Sequence, residues 1–325
     1  MALGRTLLTL GMIAGAAVGA AGQTAPAPAG VAEIQGRHDR ALVRELSEYL
    51  IRNPEADDRD QAYAALFNKA IEHDWFAETE DAAKRYLKDE PDGPVKALAQ
   101  IISVMARAQA GQFDEALARY KELMLGLGSS DQEEFAASFT ETFAASAGTA
   151  GEVEVARRIY ETLGERFTDS AEIRDKATRE LARLDRVGKP APSLEVLDVA
   201  GKSMRLGSLR GKYVLVDFWA TWCAPCIAEL PRQQEAYRKY HDAGLEIVGV
   251  SLDETRSAVV DFVKVRKLPW IQFHNGTAGA DLVEAFGVSS IPANYLIDPE
   301  GTVVRLDLRG STLDSVLSKL IKKAP

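Results

Sequence analysis

Residues 213–226 read Tyr-Val-Leu-Val-Asp-Phe-Trp-Ala-Thr-Trp-Cys-Ala-Pro-Cys, and this stretch decides the fold of the chain around it. Its first half, Tyr213–Trp219, is a run of valine, leucine and aromatic residues, which predicts a buried strand. Residues 225–241 mix polar and apolar side chains over a long segment, which predicts a helix with proline in its first turn. The stretch therefore places Cys223 and Cys226 at a strand-to-helix turn.

Cys223 and Cys226 are the only cysteines among 325 residues. A helix N-terminus presents unpaired N–H groups and about half a positive charge, so it stabilises a thiolate. We expect the pKa of Cys223 to lie below the free value of about 8.5, in a range of roughly 3.5–7.5. Cys223 is the predicted attacking sulfur, and Cys226, one helical turn further on, is the predicted resolving sulfur.

A cysteine pair of this spacing can also hold zinc or form a structural disulfide. A zinc site needs about four ligands, and the four histidines of the chain show no ligand spacing. A structural disulfide between residues three apart closes too small a loop to stabilise the fold much. The pair therefore predicts a redox-active Cys223–Cys226 disulfide, with no metal and no further cofactor.

Asp217–Cys226 resembles the active-site segment of the thioredoxin superfamily. The continuation Cys226-Ile-Ala-Glu-Leu-Pro231, and Gly287-Val-Ser-Ser-Ile-Pro-Ala-Asn-Tyr-Leu-Ile-Asp298 downstream, resemble its TlpA/ResA-like branch of extracytoplasmic thiol–disulfide oxidoreductases. The resemblance covers about residues 187–325. It implies an α/β thioredoxin-like fold, in which helices flank a mixed central sheet, and it implies protein disulfides as substrates.

The resemblance also implies a substrate-binding surface beside the dithiol. It places a cis Ile291–Pro292 peptide bond there, which an X–Pro sequence makes accessible. The backbone of Ile291 would then be a short edge on which an extended substrate pairs as an added strand. Trp222 and Pro225 are predicted to contact substrate as well, Trp222 through its apolar ring.

Two carboxylates are predicted to act with the cysteines in catalysis. Asp217 is the only charge in an apolar strand, and burial should raise its pKa. The matching thioredoxin aspartate implies that Asp217 takes the proton of Cys226. Glu229 follows Cys226 by three residues and can approach the same face, and the ResA-like glutamate implies that it tunes the cysteine pair. The alternatives are an Asp217 that caps a local backbone group and a solvated Glu229.

Strands and helices alternate through the rest of residues 187–325, which predicts a mixed sheet covered on both faces. A helix at 255–266 and a strand at 270–273 exceed the minimal thioredoxin plan and resemble the insertion of the TlpA/ResA-like branch. The predicted elements around them are a hairpin at 194–199 and 203–206, strands at 245–252, 294–297 and 303–308, and helices at 281–286 and 313–321.

The first 22 residues have the three parts of a secretory signal peptide: Arg5, an uncharged apolar run at 7–21, and small residues before Gln23. We therefore predict export to the periplasm or another extracytoplasmic space, an oxidising compartment. An uncleaved N-terminal membrane anchor is the alternative. Residues 23–30, rich in alanine and proline, are predicted to be a linker.

Residues 31–186 are predicted to form an all-α helical-repeat domain. Their apolar positions recur at spacings of three and four, which is helical periodicity. A Gly-x-aromatic-x-x-Ala-x-x-x-Tyr pattern ends at Tyr120, recurs in degenerate form at Tyr160, and has a weaker copy at Tyr86. It resembles the second helix of tetratricopeptide repeats, whose period is about 34 residues.

The net negative charge of the chain is concentrated in this helical region. Residues 31–186 carry 32 acidic and 21 basic side chains, a net −11, whereas the remainder sums to +2 and the whole chain to −9. Solvated helix faces explain this acidity, and a docking surface for a protein partner is the alternative. No basic patch suggests nucleic acid.

These observations predict an exported thiol–disulfide oxidoreductase. The family resemblance favours a reductase of protein disulfides that receives electrons from a membrane thiol carrier. One alternative is a thiol peroxidase, but the Pro and Thr of the peroxiredoxin pattern are replaced here by Val216 and Ala220. The other is a helical-repeat adaptor in which the redox domain is ancillary.

Overall fold

The computed structural model describes residues 30–127, 132–193 and 195–321, which form two consecutive parts. The predicted signal peptide (1–22) and all but the last residue of the predicted linker (23–30) lie outside the described residues. The regular elements described between 31 and 184 are all helices, whereas strands and helices mix between 195 and 320, as predicted. None of the described helices combines the length and apolar character needed to cross a membrane.

Most consecutive helices of the first part pack against each other, and α5 packs against α7 as well as against α4. The described helices are α1 (Val31–Arg52), α2 (Arg59–Glu72), α3 (Phe76–Asp89), α4 (Lys96–Gln109), α5 (Phe113–Gly126), α6 (Glu133–Ala150), α7 (Val153–Arg166) and α8 (Ala171–Leu184). We call this part the helical domain. The domain boundary at residue 186 stays a prediction.

Three tyrosines selected from the sequence pattern lie in α3, α5 and α7. Tyr86, Tyr120 and Tyr160 are all buried, and so is the alanine four residues before each of them. Residues four apart share one helix face, so each Ala–Tyr pair turns a small and a large side chain into the same interface. The likeness to tetratricopeptide repeats stays a prediction.

The second part is built on a five-stranded sheet with the strand order β5-β4-β3-β6-β7. β3 runs parallel to β4 and β4 to β5, whereas β6 is antiparallel to β3 and to β7. A separate hairpin, β1–β2, precedes the sheet. The elements are β1 (Glu195–Leu197), β2 (Ser203–Arg205), β3 (Tyr213–Trp219), α9 (Ala224–Tyr240), β4 (Leu245–Ser251), α10 (Arg256–Arg266), β5 (Ile271–His274), α11 (Leu282–Phe286), β6 (Ala293–Ile297), β7 (Val303–Leu306) and α12 (Ser311–Leu320).

The two faces of this sheet have different coverings. Val214, Val216 and Phe218 of β3 join a cluster that includes α11 and continues without a break into the core of the helical domain. The alternate residues Leu215 and Trp219 join a second cluster, with side chains of α9, α10 and α12. Because successive strand residues point to opposite faces, Asp217 lies on the α9 face.

The strand predicted at 303–308 ends earlier, at Leu306. Asp307 takes up a left-handed backbone conformation, with φ 54, which interrupts the extended chain. Side chains of both parts of the molecule contact Asp307, as described below. Long-range contacts of this kind leave no trace in the local hydrophobic pattern from which the strand was predicted.

Candidate active site

The two cysteines lie at the start of α9. Cys223 is the N-cap residue with an extended backbone, and the helix begins at Ala224. The N–H of Cys226 donates to Sγ of Cys223 at 3.3 Å, and the two sulfurs form a disulfide with their Cα atoms 5.3 Å apart. Cys223 is 5% exposed and Cys226 3%, so Cys226 is the deeper of the two only by a small margin. The predicted position of Cys223 at the mouth of a helix is confirmed.

The turn between β3 and α9 is fastened by Asp253, which the sequence reasoning missed. The N–H of Thr221 donates to both carboxylate oxygens of Asp253, at 3.2 and 3.1 Å, and its hydroxyl donates at 2.6 Å. The hydroxyl of Ser251 donates to the same carboxylate at 2.7 Å. Asp253 follows the end of β4 closely, and the carboxyl ends of parallel strands share one edge of the sheet. That placement is a signal that could have identified it.

The predicted substrate contacts Trp222 and Pro225 are both exposed on this turn. Trp222 is 65% exposed, beside the buried Cys223, and Pro225 is the second residue of α9. Trp219, three residues earlier, is 1% exposed, and its indole N–H donates to Gln272 at 3.1 Å. The two tryptophans of the motif therefore differ: one belongs to the core and the other is available to meet another molecule.

Asp217 is buried on the α9 face of β3. Burial raises the pKa of its carboxyl from the ordinary value of 3.8 to about 6. A hydrogen bond with the side chain of Gln233 and the positive charge of Arg309 oppose this rise, whereas the negative charges of Glu229 and Asp307 add to it. The predicted rise is confirmed, and desolvation is its main cause.

Glu229 connects the redox helix to the start of α12. One of its carboxylate oxygens accepts the N–H of Gly310, the N-cap residue of α12, at 2.8 Å, and the other accepts from Arg232 at 3.2 Å. The side chain is only 17% exposed, so Glu229 is not a solvated surface carboxylate. Its charge acts on the pKa of Asp217. A direct effect on the cysteine pair stays a prediction.

The Ile291–Pro292 peptide bond is cis, as the resemblance implies. Ala293, the next residue, pairs with Phe218 near the end of β3, which brings the preceding loop to the edge that carries the cysteines. Ile291 is half-buried and packs against the hydrophobic cluster that contains both Cys223 and Cys226. The sequence-selected residues therefore converge on one edge of the sheet.

Two further residues of this site were missed in the sequence. Gln233 lies seven residues after Cys226 and four after Glu229, so helical periodicity could have identified it as a residue of the same face. Arg309 donates to the carbonyl of Pro292 and, at 3.3 Å, to the carboxylate of Asp307. Arg309 stands far along the chain from the motif, just before the last helix, and no local pattern marks it.

A possible metal-ligating group lies elsewhere, in α1 and around the end of α2. Asp39, Glu72 and His73 bring their ligand atoms within 4.8 Å of one another. The ammonium of Lys69 lies 3.2 Å from Asp39 and 2.8 Å from Glu72, so a side-chain cation already balances these carboxylates. In the candidate active site the two sulfurs form a disulfide with each other, and a cofactor-free reaction stays our prediction.

Residues 187–306 match the AhpC/TSA family. Among curated proteins, the thiol-disulfide oxidoreductase ResA of Bacillus thuringiensis subsp. konkukian is 36% identical over 137 residues, which cover 42% of this chain and 78% of the relative. The ResA of Bacillus subtilis is 34% identical over 130 residues, which cover 40% of this chain and 71% of the relative.

A solved structure matches a similar share of the chain. The thioredoxin domain of a thiol-disulfide oxidoreductase from Bacteroides vulgatus is 32% identical, with a TM-score of 0.39. The match covers 42% of this chain and 98% of that domain. The AhpC/TSA match lies wholly within the second part of the molecule and leaves the helical domain uncovered.

Proposed function

Because the chain belongs to the TlpA/ResA-like family of thiol–disulfide oxidoreductases, we propose that it is an exported reductase of protein disulfides. The N-cap position of Cys223, with the N–H of Cys226 directed at its sulfur, is the observation that carries this proposal. A donor and a helix dipole at one sulfur favour its thiolate, and the thiolate is the form that attacks a disulfide.

The first step joins the enzyme to its substrate. The thiolate of reduced Cys223 attacks one sulfur of a substrate disulfide, a new S–S bond forms, and the substrate bond breaks. The second substrate sulfur leaves as a thiolate and takes a proton from solvent. The turn held by Asp253 supports this step because it keeps Cys223 at the helix N-terminus without help from the substrate.

The second step releases the substrate. Cys226 gives its proton to the carboxylate of Asp217, and its thiolate attacks the sulfur of Cys223. The mixed disulfide breaks, the first substrate sulfur leaves as a thiolate, and Cys223–Cys226 is oxidised by two electrons. Asp217 is buried on the sheet face that carries the cysteines, and its pKa is about 6. This supports the role, because a carboxylate whose pKa lies near neutral pH accepts a proton from a thiol more readily than a carboxylate with an ordinary pKa.

Substrate recognition is proposed at the exposed surface around the dithiol. The backbone of Ile291, with Pro292, would receive an extended segment of the substrate, as in strand addition. Trp222 and Pro225 would supply apolar contact on the other side of the sulfurs. The 65% exposure of Trp222 supports this, since an unfilled aromatic surface is available next to a buried sulfur.

The remaining parts of the proposal concern location and electron supply. The apolar, uncharged run at 7–21 supports export, and the resemblance favours a membrane thiol carrier as electron donor. N-terminal sequencing of the protein recovered from the extracytoplasmic fraction should begin close to Gln23. A protein partner on the acidic helical domain is a further proposal, which salt-sensitive copurification with the full chain would test.

The decisive experiment measures reduction of insulin disulfides with dithiothreitol as the electron source. Wild type should accelerate the reaction, and Cys223→Ser should abolish the acceleration. Cys226→Ser should instead accumulate a mixed disulfide with the substrate, since it can attack but not resolve. The double variant is the matched control, because it contains no thiol at all.

Two outcomes would replace this proposal. Consumption of peroxide by wild type without insulin reduction would make the chain a thiol peroxidase, as its AhpC/TSA match allows. Complementation of a deletion strain by Cys223→Ser would make the helical domain the functional part. The direction of the reaction follows from the redox potential, which ranges from about −270 to −120 mV in folds of this kind, and the proposed reductase requires a value toward the lower end.

A further inference from the structure

The loop 287–292, which precedes β6 and carries Ile291, is held at two points by charged side chains from outside it. The hydroxyl of Ser289 donates to the carboxylate of Glu180 at 3.0 Å. The guanidinium of Arg309 donates to the carbonyl of Pro292. Glu180 belongs to α8 of the helical domain, so one of the two anchors comes from the other part of the molecule.

The two anchors are connected to each other. Arg183, also on α8, donates to Glu180 at 2.9 Å and, with its other terminal nitrogen, to Asp307. Asp307 in turn accepts from Arg309 at 3.3 Å. The four side chains alternate in sign, carboxylate and guanidinium in turn, and their charges sum to zero. We call Glu180, Arg183, Asp307 and Arg309 the interdomain charge chain.

The two α8 members of the interdomain charge chain, Glu180 and Arg183, are shielded from water. Arg183 is 5% exposed and Glu180 8%, and the guanidinium of Arg183 also lies 5.6 Å from the ring of Tyr295 on β6. Ion pairs between such groups are little screened, and removal of one member leaves an uncompensated charge behind. Glu180 and Arg183 therefore cannot relax into solvent when one of them is disturbed, whereas Arg309, which contacts the loop, is 38% exposed.

The helical domain also borders the space beside the loop. A cavity of about 200 Å³ is lined by Ile291, Pro292 and Arg309 on one side, and by side chains of α6, α7 and α8 on the other. The predicted substrate edge thus faces the helical domain, and the same residues that line this space hold the loop in position.

We propose that Glu180 and Arg183 are positioning residues: Glu180 holds Ser289 directly, Arg183 acts through Asp307 and Arg309, and together they keep the loop 287–292 in the shape that receives a polypeptide substrate at Ile291. This proposal rests on the proposed function, since it assigns the helical domain a role in substrate binding by that same site. It makes the helical domain part of the enzyme rather than an appended adaptor.

The test compares Arg183→Met with Arg157→Met, a matched control. Arg157 also belongs to the helical domain and pairs with Asp185, but it lies outside the interdomain charge chain. With insulin as substrate, Arg183→Met should raise KM by a factor of roughly ten, the size expected for one charge-assisted hydrogen bond. Its rate with a small aromatic disulfide such as dithiobis-nitrobenzoate should change less than about twofold, since that substrate needs no polypeptide edge.

A second measurement follows the loop itself. Amide hydrogen exchange of residues 288–291 should be faster in Arg183→Met than in wild type and unchanged in Arg157→Met. If wild type fails to reduce insulin, the proposed function falls, and the exchange comparison still decides whether α8 holds the loop. The proposal would be overturned if Arg183→Met behaved like Arg157→Met, or if it slowed the reduction of insulin and of the small disulfide equally.

Ser289→Ala tests the same proposal if Arg183→Met does not fold. Ser289 is exposed and uncharged, and Glu180 keeps its pair with Arg183, so the replacement leaves no unpaired charge and should not affect folding. It removes only the hydrogen bond to Glu180, and KM for insulin should rise by a factor of roughly three to five. An unchanged KM together with unchanged exchange of the loop amides would overturn the proposal on its own.

Discussion

The backbone N–H of Cys226 points at the sulfur of Cys223, and the nitrogen and the sulfur are 3.3 Å apart. This is the hydrogen bond that an N-cap side chain accepts at the start of a helix, here made by sulfur in place of oxygen. In the reduced protein the same geometry offers a donor to one thiolate only. The two chemically identical side chains of the motif therefore have different reactivity.

We expect reduced Cys223 to titrate with a pKa in the range of roughly 3.5–7.5, below the free-cysteine value of about 8.5. The measurement is the pH dependence of thiolate absorbance in Cys226→Ser, in which Cys223 is the only thiol. Cys223→Ser is the matched control, and its remaining thiol should titrate at higher pH. A Cys223 that ionises like free cysteine would remove the physical basis of the proposed attack.

Asp217→Asn should stabilise the protein at neutral and alkaline pH. The folded pKa of about 6 lies above the ordinary 3.8, so the carboxyl gives up its proton less readily in the folded state. Its contribution to the free energy of unfolding is neutral below pH 3.8, becomes unfavourable as pH rises to about 6, and is constant above that. At one pKa unit per 1.36 kcal/mol, the variant should gain up to about 3 kcal/mol above pH 6 and nothing below 3.8.

Urea unfolding at both pH extremes measures this difference. Asp253→Asn is the control, since that carboxylate is also buried but accepts hydrogen bonds from Thr221 and Ser251. Its loss should destabilise by about 1–3 kcal/mol. Asp217→Asn should also slow insulin reduction and remove any inflection of the rate near pH 6. Destabilisation by Asp217→Asn above pH 6 would contradict the burial argument.

Glu229→Gln and Arg309→Met should move the pKa of Asp217 in opposite directions. Glu229 and Asp307 raise this pKa, whereas Gln233 and Arg309 lower it. Removal of the negative charge at 229 should therefore lower the pKa of Asp217 below about 6, and removal of the positive charge at 309 should raise it. Carbon-13 NMR titration of the aspartate carboxyls measures both shifts.

Arg232→Met is the control for this pair. Arg232 contacts Glu229 at 3.2 Å, but its side chain is 56% exposed and it is not among the groups that shift the pKa of Asp217. Its removal should leave that pKa unchanged. A shift in the same direction for Glu229→Gln and Arg309→Met would mean that structural change, and not charge, controls the titration of Asp217.

The two tryptophans of the motif should respond in opposite ways to replacement by alanine. Trp219→Ala empties a fully buried site and should destabilise by about 3–5 kcal/mol. Trp222→Ala should change the free energy of unfolding by less than about 0.5 kcal/mol, because the side chain is largely in solvent. Its KM for insulin should nevertheless rise. An unchanged KM would remove Trp222 from the proposed substrate surface.

Most of the fold follows from local patterns. The helix periodicity of 31–186, the buried strands β3 and β4, and the helix after the cysteines were all predicted within a few residues. The predicted end of β7 at residue 308 was wrong, because Asp307 breaks the strand with a left-handed backbone conformation. Leu306 and Leu308 flank this aspartate and continue the alternation of a strand, and the partners of Asp307 lie on α8 and just beyond β7.

Local patterns likewise identify some residues of the candidate site and not others. The positions of Cys223, Cys226 and Asp217 follow from the strand-turn-helix motif and from the two-residue period of β3. Glu229 and Gln233 follow from helical spacing along α9, although only the first was selected. Asp253 was missed although its place just after β4 could have identified it, whereas Arg309 reaches the site only because the assembled sheet brings the segment after β7 beside Pro292.

The sequence alone determined that this chain carries a dithiol at a helix mouth with one buried acid on the preceding strand, because these features depend on residues close together in the chain. Only the tertiary structure decided that Arg183 pairs with Asp307, 124 residues away, and that the loop carrying Ile291 is thereby fastened to the helical domain. Periodicity records which side chains face a core. Which charged side chains pair between the helical domain and the second part depends on how the two parts are placed relative to each other, and no local sequence pattern encodes that placement.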